Sequence, residues 1–219
     1  MRYPPLMIAL FLWMTVRPFA QHIQSFSVPG GVFLFLVFLT LIYAFRRVRR
    51  LAVCLSILAV IAVTLRFAAD HWQASELDIL SLAPSFIAMV VAAAAILSEV
   101  LRARSASSDL VIGGVCLFIV IGVAWAFLYY AIYLLSPASI FVPPASTALT
   151  TSLRESKFTE ALFFSLAALT TIGSSGEEAL TQMTRQLAVV ESVMGQLYLA
   201  VLISRLVGFS ATSVTKERS

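Results

Sequence analysis

Apolar residues fall in long blocks along the chain, separated by short polar connections. A helix needs roughly 17–25 apolar residues to cross the hydrocarbon core of a bilayer. By that measure six blocks predict membrane spans, at about Pro5–Ala20, Pro29–Phe45, Leu51–Ala69, Ile79–Leu101, Leu110–Leu135 and Leu187–Phe209. The first two are short. The first carries Arg17 and Pro18 near its end, where the arginine can snorkel to the headgroups and the proline end or kink the helix.

The connection between the fifth and sixth blocks differs from the others. It begins as "SPASIFVPPASTALTTSLRESK" and turns apolar again from Phe158 to Leu169. That second run is too short to span and long enough for a re-entrant helix. It leads into "LTTIGSSGEE", Leu169 to Glu178. Non-helical backbone at membrane depth is tolerated only where protein buries it or where it lines a water-filled cavity. The pattern therefore predicts a short helix and a pore loop entering from the outer face. The fold class is an all-α polytopic membrane protein with about six transmembrane helices.

Composition agrees: 60% of residues are hydrophobic, 12% are charged, and the mean hydropathy is +0.96. So little polar sequence remains that no separate soluble or ligand-binding domain is expected. The net charge of +4 does not point to nucleic acid, because the arginines cluster beside apolar spans rather than among aromatics. They act as topology signals. "RRVRR" follows the second span, "RAR" the fourth, and Lys216 and Arg218 the sixth, whereas "QHIQSFSV" and "DHWQASELD" hold no lysine or arginine. Basic loops stay cytoplasmic, which predicts an integral cell (inner) membrane protein with both termini cytoplasmic. Reading the first block as a cleaved signal leaves the remaining orientation unchanged.

Cys54 and Cys116 lie in apolar runs and are expected as small buried hydrophobes. No Walker loop, zinc-ligand spacing or serine nucleophile motif occurs, so no enzyme activity and no organic cofactor are expected. His22 and His71 fall in outer connections, and Arg66 and Asp70, one turn apart, are expected to pair near the outer interface. A voltage-sensing helix needs arginines every three residues, and the fourth block has none in its interior.

In the loop, Thr170 and Thr171 offer hydroxyls, Gly173 and Gly176 permit backbone conformations closed to other residues, and Ser174 and Ser175 leave the carbonyls unobstructed. Backbone oxygens can replace the hydration shell of a cation, but one strand cannot surround an ion, so several chains must converge. Glu191 lies inside the sixth block, where an ionisable residue is a functional candidate. It can brace the loop from behind, or reach water and pair with Arg185. Gly195 serves either close packing or bending, and Gln196 an interhelical hydrogen bond.

"FTEALFFSLAALTTIGSSGEE" followed by "RQLAVVESVMGQLYLAVLISRLVGF" resembles the pore module of tetrameric potassium channels, whose pore helix runs into a filter written TTVGYGD and then an inner helix. The resemblance covers about Phe158 to Phe209. It implies a four-helix peripheral domain over 1–109, a pore domain over 110–209 and a cytoplasmic tail over 210–219. It further implies a homotetramer, each chain meeting three identical subunits in the lipid bilayer, that conducts potassium passively. The filter would comprise Thr170, Thr171, Ile172, Gly173, Ser174, Ser175 and Gly176, with potassium held at Thr171, Ile172, Gly173 and Ser174. Glu177 and Glu191 would support it, and Gly195 would be the hinge or packing point of the inner helix.

The second half of the filter departs from the family. Ser174 stands where the family has tyrosine and Ser175 where it has glycine; in a loop one residue longer, Gly176 and Glu177 replace the closing glycine and aspartate. Relaxed cation selectivity is the corresponding variant. The competing readings are a secondary ion transporter subunit, which usually shows internal repeats not evident between the halves of this chain, and a channel-like structural protein that does not conduct.

Overall fold

The computed structural model describes residues 3–22, 30–46, 48–72, 75–103, 107–136, 140–141, 153–173, 178–179 and 181–217. Seven helices lie among them: α1 (Pro4–His22), α2 (Gly30–Ala44), α3 (Arg49–Trp72), α4 (Ser75–Arg102), α5 (Ser108–Leu135), α6 (Leu153–Leu169) and α7 (Gln182–Glu217). Two short strands, β1 (Ile140–Phe141) and β2 (Glu178–Ala179), pair antiparallel with Ile140 opposite Ala179. This ribbon ties the chain after α5 to the chain before α7.

Each apolar block forms a helix, and the differences from expectation lie at the ends. Pro18 does not end α1, which runs on to His22. α6 takes in the polar "LRESK" ahead of Phe158, and α7 extends in both directions, from Gln182 to Glu217. The early start of α7 has a local cause: Thr181 Oγ1 accepts the Thr184 N–H at 3.2 Å, satisfying one of the donors that a helix start leaves open. Ser107 does the same for α5, accepting from Leu110 N–H at 3.2 Å.

Four helices are long and apolar enough to cross a membrane, over Arg49–Ala69, Ile79–Arg102, Ser108–Leu135 and Gln182–Phe209. α1 and α2 contribute shorter apolar stretches, Pro4–Thr15 and Phe35–Ala44.

α1 packs on α2 and α5, and α2, α3, α4 and α5 pack in sequence, so the first five helices close into a ring. Leu6, Leu10, Phe38, Leu41, Leu55 and Met89 fill its interior. The outer faces carry Ile8, Phe11, Phe35, Ile57, Val60 and Phe67 in exposed positions. Apolar surface this continuous is foreign to a water-soluble monomer and suited to lipid contact. In α4 the fully buried Ala88 and Ala92 allow close helix approach, and its one basic residue in the last turn is Arg102.

Of the cysteines, Cys116 is buried as expected, whereas Cys54 is exposed, on the outward face of α3; both are free thiols. The apolar run predicted burial of both, but a lipid-facing side of a helix is as apolar as its packed side. The side chains of His22, Asp70 and His71 lie outside the described residues, and so does the expected Arg66–Asp70 pair.

Candidate functional site

α6 is seated between α5 and α7. Its first apolar residue, Phe158, packs among the rings of Phe127 at 4.8 Å, Tyr130 at 5.6 Å and Trp13 at 6.1 Å. Further along the helix, Phe164 meets the Tyr129 ring edge-on at 4.9 Å. Gly122 of α5 then admits Leu166: a methyl group built there would fall 2.7 Å from Leu166 Cδ2. An aromatic face followed by a glycine thus fixes both the depth and the tilt of the short helix against α5.

The C-terminus of α6 is closed by backbone bonds. Thr171 N–H donates to Ala168 O at 3.0 Å and Ile172 N–H to Ala167 O at 3.1 Å, the paired pattern of a Schellman cap. That cap needs a left-handed residue at the position Thr171 occupies, where glycine is usual. Thr171 adopts it with φ of 58°, an outlying conformation for a β-branched side chain. Gly173 follows with φ of 78°, and its N–H also donates to Ala167 O, at 3.3 Å. The chain therefore leaves the helix through two left-handed residues, one strained and one relaxed.

α7 clasps this helix end. Glu191 is fully buried; its Oε2 accepts from Tyr129 Oη at 2.8 Å and its Oε1 from Ser165 Oγ at 2.5 Å, so one carboxyl joins α5, α6 and α7. Ser165 Oγ lies 2.7 Å from Gly122 O as well. Ser192 Oγ reaches Ala168 O at 2.7 Å. Gly195 lies against the Leu169 backbone, where a methyl group would overlap the carbonyl oxygen. Gln196 Nε2 donates to Thr171 Oγ1 at 3.1 Å. Three positions on α6 and its cap, Ser165, Ala168 and Thr171, are thus held from α7 at successive turns.

Among the described residues, nothing covers the side of the loop away from this clasp. Thr171, Ile172 and Gly173 are exposed, Ile172 at 82%, and a methyl group at Gly173 would have no neighbour within 4 Å among the described residues. A Schellman cap commonly tucks in the side chain that Ile172 provides; here it stands free. Thr170 differs: its hydroxyl donates back to Leu166 O at 2.6 Å, so it turns toward its own helix. Ser174, Ser175, Gly176 and Glu177 lie outside the described residues.

Of the expected partners of Glu191, Arg185 is occupied elsewhere, donating from Nε to Ala179 O at 2.8 Å. The residues that hold the carboxyl, Tyr129 and Ser165, were not singled out from the sequence. The available signal is two hydroxyls inside otherwise apolar helices, but which residue they face depends on helix packing.

Residues 112–211 match the sequence model of a family described as ion channel. The segment runs from α5 through α6 and the loop into α7, and it covers somewhat less than half of the chain. It contains every contact of the clasp. No curated protein and no solved structure matches the chain. The segment's similarity to ion channels and the four apolar helices together support an integral membrane protein carrying an ion-channel module.

Proposed function

We propose that the chain is one subunit of a homotetrameric cation channel that conducts potassium passively. The observation that carries this reading is the uncovered loop: residues 171–173 are held from behind by α7 while their other side meets none of the described residues. Backbone presented in this way inside a bilayer needs further subunits and a solvated ion path to complete it. In this reading α6 is a re-entrant pore helix, α5 the outer helix and α7 the inner helix of a pore domain over 110–209. α1–α4 form the peripheral domain over 1–109, giving six spans. The arginine-rich connections favour both termini in the cytoplasm.

The ion path takes the Thr171 hydroxyl and the carbonyls of Thr171, Ile172, Gly173 and Ser174, and Ser175 and Gly176 complete the filter. Carbonyls at the C-terminal end of α6 add negative partial charge at its inner mouth. Ile172 supplies an apolar surface for a neighbouring copy. Glu191 holds the filter indirectly, through Ser165 and Tyr129, and Gly195 serves close packing on Leu169.

Protein purified and reconstituted in liposomes is expected to assemble as four copies and to dissipate an imposed potassium gradient. Gly173→Trp should abolish the flux and leave the assembly intact. A different stoichiometry, or flux unaffected by that substitution, overturns the proposal.

A further inference from the structure

Along one uncovered line of α7 stand Val189, Val193, Ile203 and Val207, exposed apolar residues at helical spacing. Gln196 is on the same line, exposed and polar, with its amide spent on Thr171 Oγ1. The two threonines after α6 are not equivalent, because the Thr170 hydroxyl is committed to Leu166 O. The Thr171 hydroxyl is turned instead toward α7, where it accepts the Gln196 amide. It does so from a left-handed backbone that the branched side chain disfavours. A threonine hydroxyl is a free rotor with two lone pairs. Accepting the Gln196 amide N–H restrains the position of the oxygen and narrows the rotation of the hydroxyl.

We infer that Gln196 is a specificity-determining residue of the ion path, which pins the Thr171 hydroxyl oxygen at the inner end of the filter. The inference rests on the channel reading above. A pinned oxygen keeps its distance from the axis and cannot follow a smaller cation inward, whereas a free one closes around sodium as readily as potassium. Gln196 therefore acts as a positioning residue: it does not coordinate the ion, and it sets where the coordinating oxygen stands.

The test is the potassium-to-sodium permeability ratio, read from bi-ionic reversal potentials of the full-length protein in planar bilayers. Gln196→Met preserves length without a donor, and Gln196→Leu preserves the branch point and bulk without one. Each is expected to lower the ratio about threefold or more, the scale of one neutral hydrogen bond, with assembly size unchanged. Thr171→Val removes the same bond from the other side, so adding Gln196→Met to it should cause no further loss. A wild-type ratio in both Gln196 variants, or additive losses in the double variant, refutes the inference while leaving the channel reading in place. Absence of cation current in the wild-type protein refutes the channel reading and this inference with it. Because Gln196 is exposed, both replacements are compatible with folding.

Discussion

Glu191 Oε1 and Ser165 Oγ lie 2.5 Å apart, fully buried between α7 and α6. Ser165 has one hydroxyl hydrogen and two acceptors in reach, Glu191 Oε1 and Gly122 O. A glutamine amide at position 191 can donate to Ser165 Oγ, which frees the serine hydrogen for Gly122, while the amide oxygen still accepts from Tyr129. Glu191→Gln is therefore expected to retain flux and thermal stability. Glu191→Ala leaves the Tyr129 hydroxyl without its acceptor and opens a cavity, costing about 2–4 kcal/mol. Thermal unfolding in detergent separates the two, and equal melting temperatures for both variants would contradict the clasp.

Gly195 is a packing position in this structure, pressed against the Leu169 carbonyl. Backbone cannot step aside as a side chain can, so Gly195→Ala is expected to cost about 1–3 kcal/mol and to reduce potassium flux by displacing the end of α6. A methyl group at Gly208 on the same helix would have no neighbour within 4 Å among the described residues, so Gly208→Ala serves as the control. Flux and melting temperature measured together decide the point; a Gly195→Ala protein that behaves like the Gly208→Ala control removes the packing assignment.

Thr171 occupies the cap position that glycine ordinarily fills. Thr171→Gly relieves a left-handed conformation worth about 1 kcal/mol, and it also removes the hydroxyl that Gln196 holds. The expected outcome is a split: unchanged or higher thermal stability with loss of potassium preference over sodium. A variant that loses stability and keeps its preference would reverse the assignment of strain and function.

Arg205, near the end of the apolar part of α7, donates from Nη1 to Leu101 O at 2.7 Å and from Nη2 to Ala103 O at 2.9 Å. These carbonyls close α4, whose C-terminal end carries partial negative charge. The fork fastens α7 to the end of α4. Arg205→Ala is expected to change open probability in single-channel records and to leave unitary conductance as it was, with Arg205→Lys intermediate because it keeps the charge but not the fork. Unchanged open probability in Arg205→Ala would show that movement of α7 does not depend on this contact.

Much of the architecture was legible in the sequence because membrane spans announce themselves by length and apolarity. The blocks from Leu51, Ile79 and Leu110 became α3, α4 and α5 with ends shifted by a few residues. The short run from Phe158 became α6, whose polar first turn carries no apolar signal. Glu191, Gly195 and Gln196 stood out as polar or small residues in an apolar helix, and all three face the end of α6 or its cap. Their partners did not stand out. Tyr129 and Ser165 are 62 and 26 residues from Glu191, and only the packing of three helices brings the hydroxyls to one carboxyl. Arg205, inside the sixth apolar block, does not stand out, since nothing local marks it as the cap of a helix far earlier in the chain. Cys54 shows the reverse limit: apolar patterning does not separate lipid-facing from buried positions.

In the proposed channel the loop after α6 lines a potassium path shared by several copies of the chain. The most direct test of that path is the reversal potential of the wild-type protein under bi-ionic potassium and sodium. The expected result is a cation current whose reversal potential shifts toward that of potassium. A reversal potential near zero with equal sodium permeation would contradict the selectivity, and the absence of any cation current would contradict the channel itself.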